Sequence, residues 1–331
     1  MSEIPDSGPD SELDSGLVEL VEGHLLGEQP SLSQSQVAAA AGVPIEVAND
    51  LWRLLGFPLP TADEVAFTSS DVEALRLTQQ LMTLGVLNED RRAALVRTLG
   101  RSFARLAEWQ TSLLADVTAG RGGDPVDMLA LAGEVLPSVE YLQTYIWRRH
   151  LASVVTRGLV TASGTASAAF AVGFVDIVGY TSRSKSMSDD ELVEWLEEFE
   201  DVCTGLVVER GGRVIKTLGD AVLFVADTAG DAALIALAIT SLGAEDDTPF
   251  PQVRAGIAYG EVVSRLGDVF GPTVNIASRL TSVARPDAVL VDEQAAEQLR
   301  DDGGFEVTRL RRTSVKGYSR LQPYLVRPGA R

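Results

Sequence analysis

The sequence has one cysteine, Cys203, and two histidines among its 331 residues. One cysteine cannot form an internal disulfide, so nothing in the chain requires an oxidising compartment. Cys203 lies within a helical pattern and is predicted to be a core residue rather than a nucleophile. Long uncharged apolar runs are also missing, because none approaches the roughly 20 residues that span a bilayer. The acidic N-terminus lacks the basic and apolar regions of a signal peptide. These absences predict a cytoplasmic protein without a membrane span.

Positive charge is scarce as well. The chain has 28 Lys and Arg against 47 Asp and Glu, which gives a formal net charge of −19. Binding to nucleic acid or to anionic lipid needs clustered basic residues, so this balance predicts no nucleic-acid partner. Hydrophobic residues make up 45% of the chain, enough to build real cores. The length allows about two domains.

The N-terminal half has helical periodicity and no convincing strand before residue 168. Residues 1–12, rich in Pro, Ser, Gly and Asp, are predicted to form a disordered tail. Apolar residues then recur at helical spacing, which predicts an all-helical domain over 13–158. The Ser, Thr and Gly residues of 159–168 indicate a linker to a second domain, 169–331.

Two long helices are predicted in the first domain, at 89–118 and 124–155. They carry more apolar residues than one buried stripe requires. The surplus predicts that the helical domain buries surface against a second copy of the chain, giving a homodimer. A small apolar ligand held in a cavity of this domain is the alternative explanation.

Residues 32–57 have the rhythm of a helix–turn–helix, so a DNA-binding role has to be weighed. The second helix would enter the major groove, yet it offers Glu46, Asn49, Asp50 and Arg53. Such a face is nearly neutral to acidic and is unsuited to phosphates. The pattern therefore favours a helical packing module over a DNA-binding one.

His150 follows Arg148 and Arg149 near the end of the helical domain. A solvated histidine at a helix end is the simpler explanation. The alternative is a proton-sensitive regulatory switch at the junction between the two halves, since histidine titrates near physiological pH.

The C-terminal half alternates between strand and helix patterns. The order is a strand, a helix, a hairpin, a helix, two strands, a helix and three further strands. This order predicts an α+β domain that is ferredoxin-like in its core. Its helices are expected on one face of a mostly antiparallel sheet.

Two acidic residues come at strand ends in this half. An apolar run from Phe170 delivers Asp176 to the end of a strand, and Gly179 then breaks that strand. Asp220 lies at the tight turn of a hairpin. Two carboxylates on adjacent strand ends can share hard divalent cations, which usually also hold substrate phosphates. The pattern predicts a metal and phosphate site.

Asn275 and Arg279 lie four residues apart in a helix predicted to begin near Pro272. An amide and a guanidinium on one helical face can meet a ribose and a phosphate together. A surface helix with a solvated arginine is the plainer alternative for this segment taken alone.

Taken together, these segments resemble a known family. Phe174-Val175-Asp176-Ile177-Val178-Gly179-Tyr180-Thr181 followed by Lys216-Thr217-Leu218-Gly219-Asp220 is similar to the signature of the class III nucleotidyl cyclases, the adenylyl and guanylyl cyclases. The segment from Asp268 to Leu280 resembles a second signature block of that family. The resemblance covers residues 168 to about 326 and implies the cyclase catalytic fold.

The resemblance implies a role for each matching residue. Asp176 and Asp220 would bind two Mg²⁺ or Mn²⁺ ions, with the backbone carbonyl of Ile177 as an extra ligand. Lys216 and Asp268 would read the purine base. This pair suits adenine, whereas guanylyl members of the family usually carry Glu and Cys at these positions.

Asn275 would orient the ribose, and Arg279 would stabilise the α-phosphate in the transition state. Lys316, in the shorter match Val315-Lys316-Gly317-Tyr318, would contact the terminal phosphates. No position of the family's set is missing or replaced, which argues against a degenerate, binding-only domain.

The resemblance therefore implies conversion of ATP to 3′,5′-cyclic AMP and pyrophosphate, at sites shared between the subunits of a homodimer. It also implies that the N-terminal helical domain is regulatory. Three alternatives remain open: a guanylyl cyclase, a non-enzymatic nucleotide-binding signalling protein, and a DNA-binding regulator with a cyclase-like effector domain.

Overall fold

The computed structural model describes residues 20–61, 63–85, 89–120, 125–161, 169–245, 248–315 and 318–329. The chain divides into two compact units, Met1–Thr156 and Arg157–Arg331. None of the described helices has both the length and the hydropathy needed to cross a bilayer. The predicted tail, residues 1–12, lies outside the described residues.

The first unit is mainly helical, as its periodicity predicted. Its described elements are α1 (20–26), β1 (Leu32–Ser33), α2 (Gln34–Ala41), α3 (Ile45–Leu55), β2 (Val65–Phe67), α4 (Ser69–Thr83), α5 (Glu89–Ala119) and α6 (Pro125–Thr161). Residues 157–161 of α6 belong to the second unit. Because α6 ends at Thr161, it includes residues 159–161 of the predicted linker. The remaining linker residues, 162–168, lie outside the described residues.

A capping box fixes the start of α2. The Ser33 side chain accepts from the N–H of Gln36, and the Gln36 side-chain oxygen accepts from the N–H of Ser33 at 2.7 Å. The strands β1 and β2 pair antiparallel, with Leu32 opposite Phe67. This ladder departs from the expectation of a strand-free N-terminal half, because strands of two and three residues are too short to leave a period-two pattern.

The core of the first unit forms where α2, α3 and α4 meet the ladder. Trp52 and Phe67 stack with ring centroids 4.4 Å apart, and Val37 is fully buried beside them. α3 also packs against α5, where a Cβ on Gly100 would lie 2.2 Å from the carbonyl oxygen of Leu55. The face that DNA binding would use stays exposed at Glu46, Asp50 and Arg53, but its arginine is paired with Asp50 at 3.1 Å, which weighs against phosphate binding there.

Both long helices of the first unit carry large apolar side chains on their surfaces. Among the described residues of α5 and α6, those at least half exposed are Phe103, Trp109, Leu113, Tyr141, Leu142, Tyr145, Ile146, Trp147, Val154 and Val155. Apolar surface of this kind marks interaction sites.

The second unit is built on a large sheet. Its described strands are β3 (Ala169–Ile177), β4 (Arg213–Thr217), β5 (Ala221–Ala226), β6 (Val253–Glu261), β7 (Val263–Arg265), β8 (Asp268–Phe270), β9 (Val289–Val291), β10 (Phe305–Arg309), β11 (Thr313–Val315), β12 (Tyr318–Leu321) and β13 (Tyr324–Pro328). Its described helices are α7 (Tyr180–Ser184), α8 (Asp189–Glu209), α9 (Ala229–Gly243), α10 (Pro272–Val283) and α11 (Glu293–Asp302).

Seven of the described strands form one sheet in the order β10, β13, β9, β6, β3, β5, β4. Neighbouring strands are antiparallel except β6 and β9, which are parallel. The α+β, ferredoxin-like fold that the order of elements predicted is confirmed.

Helices cover both faces of the sheet. α8 and α9 cover one face, where Phe199 and Cys203 are fully buried with Val175 of β3. α10 lies on the other face, where Ala277 packs with Phe174. The expectation of one covered face was wrong, because β3 presents apolar side chains alternately to both sides. Burial also raises the pKa of the Cys203 thiol, so this residue belongs to the core as predicted.

A glycine in β6 lets α10 approach the sheet closely. A Cβ on Gly256 would lie 2.3 Å from the amide nitrogen of Thr281 and 2.6 Å from the carbonyl oxygen of Ala277. Both are backbone atoms, so no change of rotamer could relieve the contact. The hydroxyl of Thr273 donates to the carbonyl oxygen of Glu261 at 2.8 Å and fixes the start of the same helix.

We expect Gly256→Ala to destabilise the protein by about 1–3 kcal/mol, because the added methyl would displace α10. Gly205→Ala is the matched control: Gly205 lies within α8 with open space at its Cβ position. There alanine should stabilise by about 0.5–1 kcal/mol. Urea unfolding of the full chain, followed by circular dichroism, measures both changes. A Gly256→Ala protein as stable as the parent would contradict this account of how α10 is seated.

Asp292 caps α11 and ties it to β6. Its Oδ1 accepts from the N–H of Ala295 at 3.0 Å and from the N–H of Tyr259 at 3.2 Å. Burial raises the pKa of this carboxyl to about 6, although both hydrogen bonds lower it. Since the folded pKa exceeds the ordinary value, the stability that this group contributes is complete below pH ~4 and is lost as the pH rises through about 6.

Asp292→Asn keeps a capping oxygen but cannot ionise. Relative to the parent, the variant should therefore gain stability between pH 4 and pH 7, on the order of 2 kcal/mol. Urea midpoints measured across that range test the expectation, with the exposed Asp227→Asn as a control that should show no such trend. A stability difference that stays constant with pH would refute it.

Candidate active site

The candidate site begins at the end of the central strand β3. Asp176 stands opposite Ala221 of β5 on one side and opposite Arg254 of β6 on the other. The N–H of Ile177 donates to the carbonyl oxygen of Asp220 at 2.9 Å. The backbone positions of the two acidic residues that the sequence singled out are thus brought together at one end of the sheet.

Asp176 is a partly buried carboxylate under opposing influences. Burial raises its pKa, Arg254 lowers it, and the negative charge of Asp220 raises it further. The net shift is upward even though Nη2 and Nε of Arg254 lie 2.6 and 2.8 Å from Oδ2 of Asp176. Desolvation therefore outweighs the ion pair. A carboxylate in this state gains stability from any further cation that binds it.

Arg254 is a site residue that the sequence analysis missed. Its side chain is 31% exposed, and its Nη1 also donates to the carbonyl oxygen of Ser282 at 3.3 Å. The available signal was a charged residue inside the apolar run from Val253 to Tyr259. Connecting that charge to Asp176 requires the strand register, which the sequence alone does not supply.

Lys216 and Asp268 are 52 residues apart in the sequence and form an ion pair, with Nζ 2.5 Å from Oδ2. Lys216 stands opposite Leu223 of β5, which packs on the α10 face of the sheet. Asp268 opens β8, and the β7–β8 hairpin brings it to β4. The ammonium group has two further donors, so the pair can still bind a third group.

Asn275 and Arg279 lie on α10, as the sequence predicted. Pro272 occupies the first turn and Gly271 precedes it, a favourable helix start. Asn275 is exposed and Arg279 is partly buried. Within the described residues neither side chain forms a hydrogen bond or an ion pair. Both are therefore available to a ligand.

The candidate residues share one face of the sheet. Phe174 packs with Ala277 of α10, and side chains two residues apart in a strand point the same way, so Asp176 lies on the α10 face. Lys216 lies on this face as well, through its pairing with Leu223. The arrangement can bind a cation at the strand end and a polar ring at the Lys216 pair.

Two further residues were predicted to have functional roles. Lys316 lies outside the described residues, so its phosphate-binding role stays a prediction. His150 lies exposed on α6 in the first unit, and its regulatory role likewise stays a prediction.

Comparison with known proteins decides the family. The family model described as the adenylate and guanylate cyclase catalytic domain matches residues 165–328. A second model, described as an adenylate cyclase regulatory domain, matches residues 13–122. An adenylate cyclase of Glutamicibacter nicotianae is 37% identical over 98% of this chain and 85% of its own length. The chain belongs to the class III cyclase family.

Further similarities involve a second relative and a solved structure. An adenylate cyclase of Streptomyces coelicolor is 42% identical over 89% of this cyclase and 79% of its own length. The catalytic core of a rhodopsin-guanylyl cyclase with converted specificity, solved with ATPαS, is 25% identical with a TM-score of 0.45. That similarity covers 49% of this cyclase and 96% of the solved chain.

Members of this family generally use divalent metals, and the donor set of the cyclase fits such ions. Asp176, Asp220 and the backbone carbonyl of Ile177 offer oxygen ligands, which Mg²⁺ and Mn²⁺ prefer. Among the described residues, no cluster of three or more acidic, histidine or cysteine side chains could enclose a metal. An open pair of carboxylates suits Mg²⁺, which keeps several waters and binds through substrate phosphates.

We expect Asp176→Asn and Asp220→Asn each to weaken Mn²⁺ binding by about tenfold or more, since each removes a charged ligand. Asp227→Asn, an exposed carboxylate just after β5, is the matched control and should bind normally. Electron paramagnetic resonance of free Mn²⁺ gives the affinity without measuring catalysis. As the pH is lowered, protons compete with Mn²⁺ for Asp176. Because burial raises the pKa of this carboxyl, the loss of Mn²⁺ affinity on acidification should begin at a higher pH than for an ordinary aspartate. Normal binding by both variants would exclude this metal site.

Proposed function

We propose that this cyclase converts ATP to 3′,5′-cyclic AMP and pyrophosphate at active sites shared by two subunits of a homodimer. The observation that carries the proposal is the ion pair between Lys216 and Asp268, which offers one donor and one acceptor to a purine ring. Two relatives named adenylate cyclase, aligned over most of the chain, support it.

The purine-reading pair favours adenine on chemical grounds. Adenine presents an acceptor at N1, which the ammonium of Lys216 can serve, and a donor at N6, which the carboxylate of Asp268 can accept. Guanine presents an acceptor at O6 and a donor at N1, the reverse pattern. A guanine at the same pair would leave these polar groups unmatched, and such mismatches discriminate strongly between ligands.

The reaction is an in-line displacement at the α-phosphorus. The ribose 3′-oxygen forms a bond to that phosphorus, its proton passes to solvent, and the bond to the oxygen bridging to the β-phosphate breaks. Pyrophosphate leaves with the electron pair. Divalent metals, two Mg²⁺ or Mn²⁺ per site, would acidify the 3′-hydroxyl and neutralise phosphate charge when bound.

The protein side chains orient the substrate and stabilise its charge. Asn275 hydrogen-bonds the ribose and keeps its 3′-oxygen in line with the α-phosphorus. Arg279 donates to the α-phosphate oxygens, where negative charge grows in the transition state. Lys316 holds the terminal phosphates. Asp176, Asp220 and the carbonyl of Ile177 supply the metal ligands.

A homodimer completes the site because each subunit supplies a different half. One subunit contributes Asp176 and Asp220, and its partner contributes the purine-reading pair with Asn275 and Arg279. A two-fold axis then generates two equivalent sites. The many exposed apolar side chains of α5 and α6 support this assembly, since a partner could cover them.

The N-terminal unit regulates by setting where the two catalytic units lie, in our proposal by inhibition. Catalysis needs groups from both subunits in register, and a displacement of about 1 Å can cost roughly a hundredfold in rate. The match of residues 13–122 to a regulatory domain supports this role. A proton signal at His150 and an apolar ligand in the helical unit both stay predictions.

A mixing experiment tests the shared site. Asp176→Ala and Arg279→Ala should each be nearly inactive, while refolded or co-expressed mixtures should recover about a quarter of parental activity. The fraction follows because half of the dimers are mixed and each mixed dimer has one intact site. Pyrophosphate release and cyclic AMP formation measure activity, and GTP in place of ATP should give far less product.

A mixture of Asp176→Ala with Asp220→Ala is the matched control. Both changes fall on the same half-site, so no combination of these subunits is intact and the mixture should stay inactive. Absence of recovery in the Asp176→Ala and Arg279→Ala mixture, with dimers present, would rule out the shared site.

A further inference from the structure

Arg254 uses both sides of its guanidinium group. Its Nε and Nη2 donate to one oxygen, Oδ2 of Asp176, at 2.8 and 2.6 Å. Its Nη1 donates to the carbonyl oxygen of Ser282 at 3.3 Å. A planar guanidinium holds two partners in a fixed relation, which the single ammonium of a lysine cannot do. Arg254 therefore links the end of β3 to the last turn of α10.

The Ser282 carbonyl is a group that the helix cannot satisfy by itself. The last four carbonyls of a helix lack intrahelical donors, and α10 ends at Val283. A cationic side chain near a helix C-terminus both bonds such carbonyls and suits the negative end of the helix dipole. The contact thus holds the C-terminal part of α10, where Arg279 lies.

Other contacts hold the rest of α10. Thr273 bonds the carbonyl of Glu261 at the first turn, and the body of the helix rests on Gly256. Among the described side chains, Arg254 donates hydrogen bonds both to Asp176, a candidate metal ligand, and to the carbonyl oxygen of Ser282 in α10. The strand β6 therefore supplies both the seat of this helix and its connection to Asp176.

We propose that Arg254 is a positioning residue that couples the two half-sites of each subunit, and through them the two active sites of the dimer. The inference rests on the proposed function, in which Asp176 serves one site and Arg279 of the same chain serves the other. A change at Asp176 passes through Arg254 to the last turn of α10 and so to Arg279 in the neighbouring site.

Competition for one oxygen gives this coupling its physical basis. A cation that binds Oδ2 of Asp176 competes with both nitrogens of Arg254 that donate to it, so the guanidinium has to shift. Because the same guanidinium bonds Ser282, the preferred position of the helix end depends on what Asp176 binds. Coupling between sites requires such a difference in contacts between two states.

Hydrogen exchange on the full-length protein tests the link without measuring activity. Arg254→Met should raise the exchange of the amides from Leu280 to Ala284 by about tenfold, because the helix end loses its anchor. Arg254→Lys keeps the charge beside Asp176, but its flexible point charge cannot hold the two partners in a fixed relation, so these amides should exchange as fast as in Arg254→Met. Arg285→Met, which removes an exposed arginine just beyond α10, is the matched control and should exchange normally.

Amides of α9 report whether each variant is folded as a whole. Fast exchange confined to the end of α10 supports the link. Exchange at parental rates in both Arg254 variants, with α9 protected, overturns it. Fast exchange in Arg254→Met with parental exchange in Arg254→Lys also overturns it, because charge alone would then suffice.

An engineered heterodimer separates coupling from a local role. The first chain carries Asp220→Ala, which disables its own metal half-site, and supplies Arg279 to the surviving site. The second chain carries Arg279→Ala and supplies both carboxylates. Arg254→Met is then added to the first chain alone, where Asp176 and Ser282 are intact.

Coupling predicts that this addition lowers kcat about tenfold with little change in the KM for ATP, because a displaced Arg279 acts in the transition state. Arg285→Met in the same chain should change neither constant. An unchanged kcat means that Arg254 acts only on the carboxylate of its own half-site, which overturns the coupling. An inactive heterodimer without any change at Arg254 would instead refute the shared site on which the coupling rests.

Discussion

A desolvated carboxylate at the end of the central strand is the constraint on which the candidate site depends. Burial makes the charge of Asp176 costly, and its raised pKa records that cost. Antiparallel pairing supplies a compensating cation, because the register sets Arg254 directly opposite. It also brings the turn at Asp220 alongside, and the negative charge of Asp220 adds to the cost. A slip of one residue would turn Asp176 into the apolar core under α8 and α9. The candidate metal site therefore depends on the register of β3.

The neighbouring strand β6 positions α10, the helix that carries Arg279. Arg254 and Gly256 are two residues apart, so both face α10. Arg254 contacts the helix with its side chain, and Gly256 leaves room for the helix backbone. The glycine lets the helix backbone approach the sheet, and the arginine bonds its C-terminal end. Arg279 projects from a helix held in this way. The position of Arg279 is set by a helix packed directly on the sheet, and such a helix holds a side chain more rigidly than a loop does.

Local patterns reveal the parts of this site that depend on neighbours in sequence. The apolar run before Asp176, the turn at Asp220, and the four-residue spacing of Asn275 and Arg279 are readable in the chain. Contacts between distant segments are not. Arg254 was missed because register is set by hydrogen bonds between strands. The expectation that the helices cover one face was wrong because an amphipathic helix does not specify which face of a sheet it covers.

Charge balance explains why a site for a polyanion keeps so many carboxylates. Its described ionisable side chains are Asp176, Asp220 and Asp268 against Lys216, Arg254 and Arg279. Two of these cations are already in ion pairs with two of the carboxylates. The side chains thus offer a triphosphate little net attraction, within a chain of formal charge −19. Divalent cations held by the carboxylates would reverse that sign locally. On this argument the acidic residues recruit positive charge for the substrate, and metal dependence follows from electrostatics before any chemical step.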